Sequence, residues 1–152
     1  MQRNSAFFIH LAMCGLCFLF INSCHKTVIE TSAIIVGKYS ATATLNGANE
    51  PEPIVSDAAG SLTGHFDEST NTLSFSLNWS QLSSVVQSIE LQGSSGESLA
   101  ITGFSYSRNG SLISAVSLPA DALNDLLNGG YFINIKTSTH PAGEIRGVVL
   151  VK

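Results

Sequence analysis

Four histidines and eleven acidic residues are the side chains from which this chain could assemble a metal or acid–base site. Capture of a transition metal needs three or four nitrogen, sulfur or oxygen ligands converging on one point, each held by a further partner. His10 and His25 precede the patterned part of the chain, which leaves His65 and His140 in separate segments, with Glu90 as a third ligand of suitable type. The plainer reading is an exposed strand histidine at 65 and a turn histidine ahead of Pro141, so no metal and no cofactor is expected. Serine is abundant, yet there is no Gly-x-Ser-x-Gly elbow and no acidic pair at an interpretable spacing, and no catalytic residue is assigned. Glu144 and Arg146 are two apart in an extended run, so they read as a surface ion pair worth ~0–1 kcal/mol rather than a substrate clamp. Asn134 reads as a side chain fixing a turn or ladder end. Trp79, in phase with three apolar residues, reads as packed rather than presented to a sugar.

The cysteines carry a different chemistry. Cys14, Cys17 and Cys24 all fall within the first 24 positions, so no disulfide can staple the remainder. Residues 1–23 have the layout of an export signal: Arg3 and the terminal amine, an apolar run from Ala6 to Phe20 broken by His10, then small and polar residues. That run is short against the roughly 20 residues a membrane-spanning helix needs. Cleavage before Cys24 would leave an exported protein with one free thiol at its first residue, a liability in an oxidising compartment unless capped. Ile21-Asn22-Ser23-Cys24 resembles a bacterial lipoprotein box, although Asn22 departs from the commoner small residue. Lipidation of Cys24 with palmitate-type chains is therefore expected. Two or more chains anchor stably, since each buried methylene contributes about 0.8 kcal/mol. Residues 24–37 would be the lipidated tether and 38–152 the folded domain.

Length and charge narrow the classes further. A chain of 152 residues suits a single domain, and 44% hydrophobic against 12% charged residues excludes an ordinary disordered polymer. Formal charge is −4, and losing Arg3 with the signal makes the mature chain one unit more acidic. Without a basic cluster, nucleic-acid binding has no electrostatic basis.

The elements that would position any site are strands. Lys38–Leu45 alternates, with Tyr39, Ala41, Ala43 and Leu45 on one face. Asn46–Ala58 holds Gly47, Pro51 and Pro53 among acids and reads as a long, helix-free connection suited to a Greek-key crossing. Ser61–Asp67 and Leu73–Trp79 form the clearest hairpin, with Leu73, Phe75, Leu77 and Trp79 in strict period two. Val86–Gln92 is a further strand. Glu97–Tyr106 shifts phase after Gly103, as a bulge would make it, and Arg108-Asn109-Gly110 then reads as a tight turn into Ser111–Leu118. Pro119–Leu127 is the one helix, with Leu123, Leu126 and Leu127 as its apolar face and Gly129-Gly130 as its stop. Tyr131–Thr137 and Glu144–Val151 close the chain around the turn Ser138–Gly143. The fold class is all-β: an antiparallel Greek-key sandwich or flattened barrel of about eight strands with one short helix. Burial of large apolar side chains, at roughly 1.5–3 kcal/mol each, offsets the ordering entropy without cross-links.

Two long motifs add a resemblance. Ala43-Thr44-Leu45-Asn46-Gly47-Ala48-Asn49-Glu50, and the run from Tyr131 through Thr139-His140-Pro141-Ala142-Gly143-Glu144-Ile145-Arg146-Gly147, resemble the opening and closing signatures of the CHRD domain over residues 38–152. The resemblance implies an extracellular β-sandwich similar in outline to copper/zinc superoxide dismutase. Growth-factor binding by multidomain chordin does not transfer to a lone domain. Many members carry a His-x-His strand and a second histidine in the closing strand; here those positions hold Glu90, Leu91 and Gln92, and Lys136.

Three functions follow for comparison. The leading one is a noncatalytic, lipid-anchored cell-envelope module on the extracytoplasmic side of a bacterial membrane, binding an envelope protein or glycan or filling a structural role. The alternative is a metal-dependent redox enzyme of dismutase-like architecture, disfavoured by Glu90, Gln92 and Lys136. An animal-type secreted antagonist would use Asn78 and Asn109 as glycan acceptors, and the lipid box argues against it.

Overall fold

The computed structural model describes residues 38–152. The export signal, Cys24, the tether and an irregular first strand expected at 34–36 lie outside the described residues.

Alternation sets the strands. In β1 (Lys38–Asn46) Ala41, Ala43 and Leu45 are buried, and in β2 (Ala59–Asp67) Leu62 and Phe66 are. All four period-two residues of β3 (Thr72–Ser80), Leu73 to Trp79, point inward. In β4 (Val86–Gly93) both Val86 and Ile89 are buried although they stand three apart. A register shift between Val86 and Ser88 absorbs the extra residue, so the described ladder irregularity lies here and not at Gly103. The remaining elements are β5 (Ser98–Ile101), β6 (Gly110–Ser117), α1 (Ala122–Leu127), β7 (Tyr131–Thr137), β8 (Ile145–Val148) and β9 (Leu150–Val151).

The strands form one antiparallel sheet in the order β5-β4-β7-β8-β1-β2-β3-β6, nearly closed into a barrel around a single apolar core, with β9 pairing β1. The all-β class with one short helix is the one the sequence predicts. The topology differs in two places. The proline connection does not cross over: β1 and β2 pair along their whole length, from Lys38↔Asp67 to Asn46↔Ala59, so residues 47–58 join direct neighbours. Proline and glycine make a segment irregular without saying which strands it joins. The expected Asn-Gly hairpin is also absent, because β6 pairs β3 and not β5. Residues 102–109 instead leave the sheet after Ile101 and carry the chain from one end of the sheet order to the other.

Trp79 explains why that segment is held elsewhere. Its Nε1 donates to Ser107 O at 3.2 Å, and Asn109 Oδ1 accepts from Gln81 N at 2.8 Å. Gly110 lies opposite Trp79, and a Cβ there would collide with the indole. Glycine at 110 makes room for a ring rather than forming a type I′ turn. The helix is shorter than expected and begins at Ala122; Ala122 and Leu126 are its buried residues, while Leu127 is exposed. The closing strand is interrupted at Val149, whose N–H donates to Tyr131 O at 2.8 Å.

Gly110→Ala forces a methyl against the indole, and overpacking of this kind costs about 1–3 kcal/mol. The expected result is a lower urea midpoint followed by Trp79 fluorescence; an unchanged midpoint would show that the ring has room to move.

Candidate functional site

The connections 47–58, 81–85 and 138–144 meet at one rim of the barrel, and three glutamates there have distinct surroundings. The first connection is shaped by the motif Asn46-Gly47-Ala48-Asn49-Glu50. Asn46 Oδ1 accepts from Asn49 N at 3.1 Å, closing the short 3-10 turn Gly47–Asn49. Asn49 Nδ2 then donates to Thr44 O at 3.2 Å and Arg146 O at 3.0 Å, tying the turn to the sheet. This fixed start carries Glu50 inward over β7.

Glu144 is fully buried and stands one residue before β8, where the pleat does not yet dictate direction. Its carboxylate, at the end of the third connection, gathers donors from the other two and from the last residue of β7: Ser56 Oγ at 3.0 Å and Ser83 N at 2.7 Å on Oε1, Ser83 Oγ at 2.8 Å and Thr137 Oγ1 at 2.7 Å on Oε2. Burial pushes its pKa up, but the donors from Ser83, Thr137 and Ser56 outweigh burial and hold it below the ordinary value. The expected surface ion pair with Arg146 is therefore not formed. Arg146 stands over the Phe132 ring, its Cζ 3.2 Å from the centroid. Burial lowers the Arg146 pKa, and the charge of Glu50 opposes that.

Glu90 and Lys136 are brought together from β4 and β7. Lys136 Nζ donates to both carboxylate oxygens, at 2.8 and 2.9 Å, and Gln92 Nε2 and Ser98 Oγ complete the shell at 2.9 and 3.0 Å. The Lys136 hydrogen bond is the main cause of a lowered Glu90 pKa, against the raising effect of burial. At the positions where the family resemblance implies imidazoles, the chain thus holds a closed ion pair. His65 lies exposed on β2, opposite Ser40 and Ser74, and His140 lies in the turn after β7. The structure does not gather His65, His140 and Glu90, and among the described residues no three His, Cys, Asp or Glu side chains converge as a metal site requires. Trp79 is buried, as its period predicts.

Between the proline connection and β7–β8 opens a cleft of about 420 Å³, lined among others by Glu50, Glu52, Gln92, Asn134, Gly143 and Arg146. Asn134 is buried at its floor, where its Nδ2 faces Ala142 O at 3.4 Å and Glu50 Oε2 at 3.5 Å. Sequence reasoning assigned Asn134 a turn-fixing role and passed over Glu50. The signal available was an acid directly before a proline, at the end of a tightly capped turn.

Replacing Glu144 by Gln removes the charge from hydrogen bonds worth about 1.5–3 kcal/mol each. The variant is expected to lose at least that much stability in urea unfolding at neutral pH. Because the folded pKa is depressed, the contribution is present above the unfolded value and fades as pH falls through the folded one. The variant should therefore approach the wild type in acid; a constant gap down to the folded pKa would contradict the assignment.

No curated protein and no solved structure matches the chain. The family model for the CHRD domain matches residues 41–149, from the middle of β1 to the residue between β8 and β9, and so takes in every strand that builds the rim. The chain belongs to the CHRD domain family.

Proposed function

We propose that this protein is a noncatalytic, lipid-anchored module of the bacterial cell envelope that binds a glycan or an envelope protein through the rim cleft. The observation that carries the binding reading is the cleft itself, where Gln92 and Arg146 present donors, Gln92 and Glu52 present acceptors, and Ile54 and Pro51 supply apolar wall. The noncatalytic reading rests on how the carboxylates are used. Glu144 and Glu90 each accept four or more hydrogen bonds, which leaves no free lone pair for general-base work. Glu50 Oε1 is sealed from solvent.

Anchoring is supported by the sequence alone: the Ile21-Asn22-Ser23-Cys24 box, and cysteines confined to the first 24 positions. Acyl chains on Cys24 would hold the domain at a membrane surface on a tether of about a dozen residues, long enough for the barrel to stand clear of the headgroups.

Two measurements test the reading. Cys24→Ser is expected to leave the signal uncut and to move the protein out of the lipid-modified fraction, seen as loss of incorporated palmitate; unchanged palmitate labelling would refute anchoring at Cys24. For the cleft, NMR titration of residues 38–152 with envelope glycan fragments is expected to shift the Gln92 and Arg146 side-chain resonances, and Gln92→Ala should weaken binding about tenfold or more, the effect of losing ~1.4 kcal/mol. Shifts confined to another face would remove the cleft from the proposal.

A further inference from the structure

Glu50 and Asn134 present an unusual set of contacts. Asn134 Nδ2 faces one carboxyl oxygen of Glu50, Oε2, at 3.5 Å. The other oxygens of the two groups, Glu50 Oε1 and Asn134 Oδ1, are both buried and have no hydrogen-bond donor among the described residues. Both face the same spot beneath Gly143, where an added Cβ would stand 2.5 Å from Oε1 and 2.6 Å from Oδ1. Two sealed acceptors converging in this way leave each without a partner, and a buried unsatisfied polar atom costs about 1–3 kcal/mol.

One arrangement satisfies both. A carboxylic acid and a carboxamide form a cyclic pair in which the amide N–H donates to the carbonyl oxygen of the acid and the acid O–H donates to the amide oxygen. The first of these contacts is in place, and a proton on Oε1 supplies the second. We propose that Glu50 and Asn134 are such an acid–amide pair, with one proton held between Glu50 Oε1 and Asn134 Oδ1, acting as a pH-sensitive latch that fastens the proline connection to β7.

The surroundings fit a proton better than a metal ion. Arg146 on β8, Lys136 on β7 and His140 in the following turn all face Glu50 electrostatically, and the two permanent charges, Arg146 and Lys136, would repel a second cation. The same three pull the Glu50 pKa down, yet burial outweighs them and the net shift is upward. Of the acids at this rim, Glu90 is neutralised by Lys136, Glu144 is held by its own donors, and Glu52 lies exposed on the same connection as Glu50. Gly143 is the only residue that can roof the pair, since any side chain would enter the gap.

The latch has a definite pH sign. A carboxyl whose folded pKa is raised adds stability that is complete below its unfolded value, about 4.3 for glutamate, and is lost as pH rises through the folded value. Glu50 and Asn134 border the cleft, but the pair needs no ligand in it, so the titration of the free protein can fail while the binding proposal stands, and the reverse.

The direct test is a carboxyl ¹³C titration of the wild-type protein labelled at glutamate. Glu50 is expected to keep its acid-form shift to higher pH than an ordinary glutamate does. Titration at or below the ordinary value overturns the pair, as does a Glu50 signal that moves on chelator treatment. The second test is Glu50→Gln, which supplies an N–H donor where the acid has its O–H. Its melting temperature should match the wild type in acid and exceed it at pH 8. A variant less stable than the wild type at pH 8 would mean that an ionised Glu50 is held by Arg146, and a variant that does not fold leaves the wild-type titration to decide.

Discussion

The rim of this barrel is organised by the need to keep one buried charge solvated. Removing a carboxylate from water carries a penalty of several kcal/mol, and it persists inside a protein only where fixed donors replace the lost water. Glu144, itself the end of the 138–144 connection, meets that requirement with four donors from the other two connections and the last residue of β7, so all three connections meet at the same carboxylate. A backbone N–H of the β3–β4 crossover is one of them, which ties the path of the main chain to the ionisation of a side chain. The turn after β7 is drawn in as well: Thr137 Oγ1 donates to Glu144 and accepts from His140 N at 3.2 Å.

Glu50 and Glu144 show how the number of donors sets the protonation of a buried acid. Both are withdrawn from solvent at the same end of the barrel, and burial alone raises both pKa values. Glu144 is offered four short hydrogen bonds and is held ionised. Glu50 is offered one long one and its pKa is raised, despite the charges of Arg146 and Lys136 in view. Local hydrogen-bond supply outweighs the longer-range field, as expected where donors sit within 3 Å and the charges act through partly solvated space. Glu90 is the third case, a carboxylate closed by Lys136 where related domains are expected to place imidazoles. An ion pair there fills the volume and the lone pairs together, which turns a position suited to ligation into a fastening between β4 and β7.

The nearly closed sheet gives this rim its rigidity. β1 is central, paired along its length to β2 and touching β8 and β9 on the other side, so the motif that follows it starts from a fixed point. Asn49, bridging Thr44 and Arg146, hands that rigidity to Glu50. Arg146 serves the same strand boundary with its carbonyl while its guanidinium covers Phe132 and borders the cleft. At the crossover from β5 to β6, Trp79 plays a comparable part: its ring occupies the space above Gly110, and its N–H holds Ser107.

Most of the strand content could be read from residue order. Alternation in Lys38–Leu45 and Leu73–Trp79, the hairpin of Ser61–Asp67 with Leu73–Trp79, the helix stop at Gly129 and the two signature motifs are local features, because the pleat repeats every two residues and a turn involves four. The spacing of Val86 and Ile89 even contained the bulge that was sought at Gly103. Pairing was not legible in the same way. Asn109-Gly110 has the composition of a hairpin turn, but the packing of Trp79, some thirty residues earlier, decides that β6 lies against β3. The site was the least legible part. Glu144 and Arg146 look alike as strand residues until donors 61 and 88 positions away select one for burial. Sequence by itself therefore determined where the chain extends and turns and which family it joins, since those depend on neighbours along the backbone. Only the tertiary structure decided which strands meet and which acids are charged, since those depend on burial and hydrogen-bond donors that folding brings from distant segments.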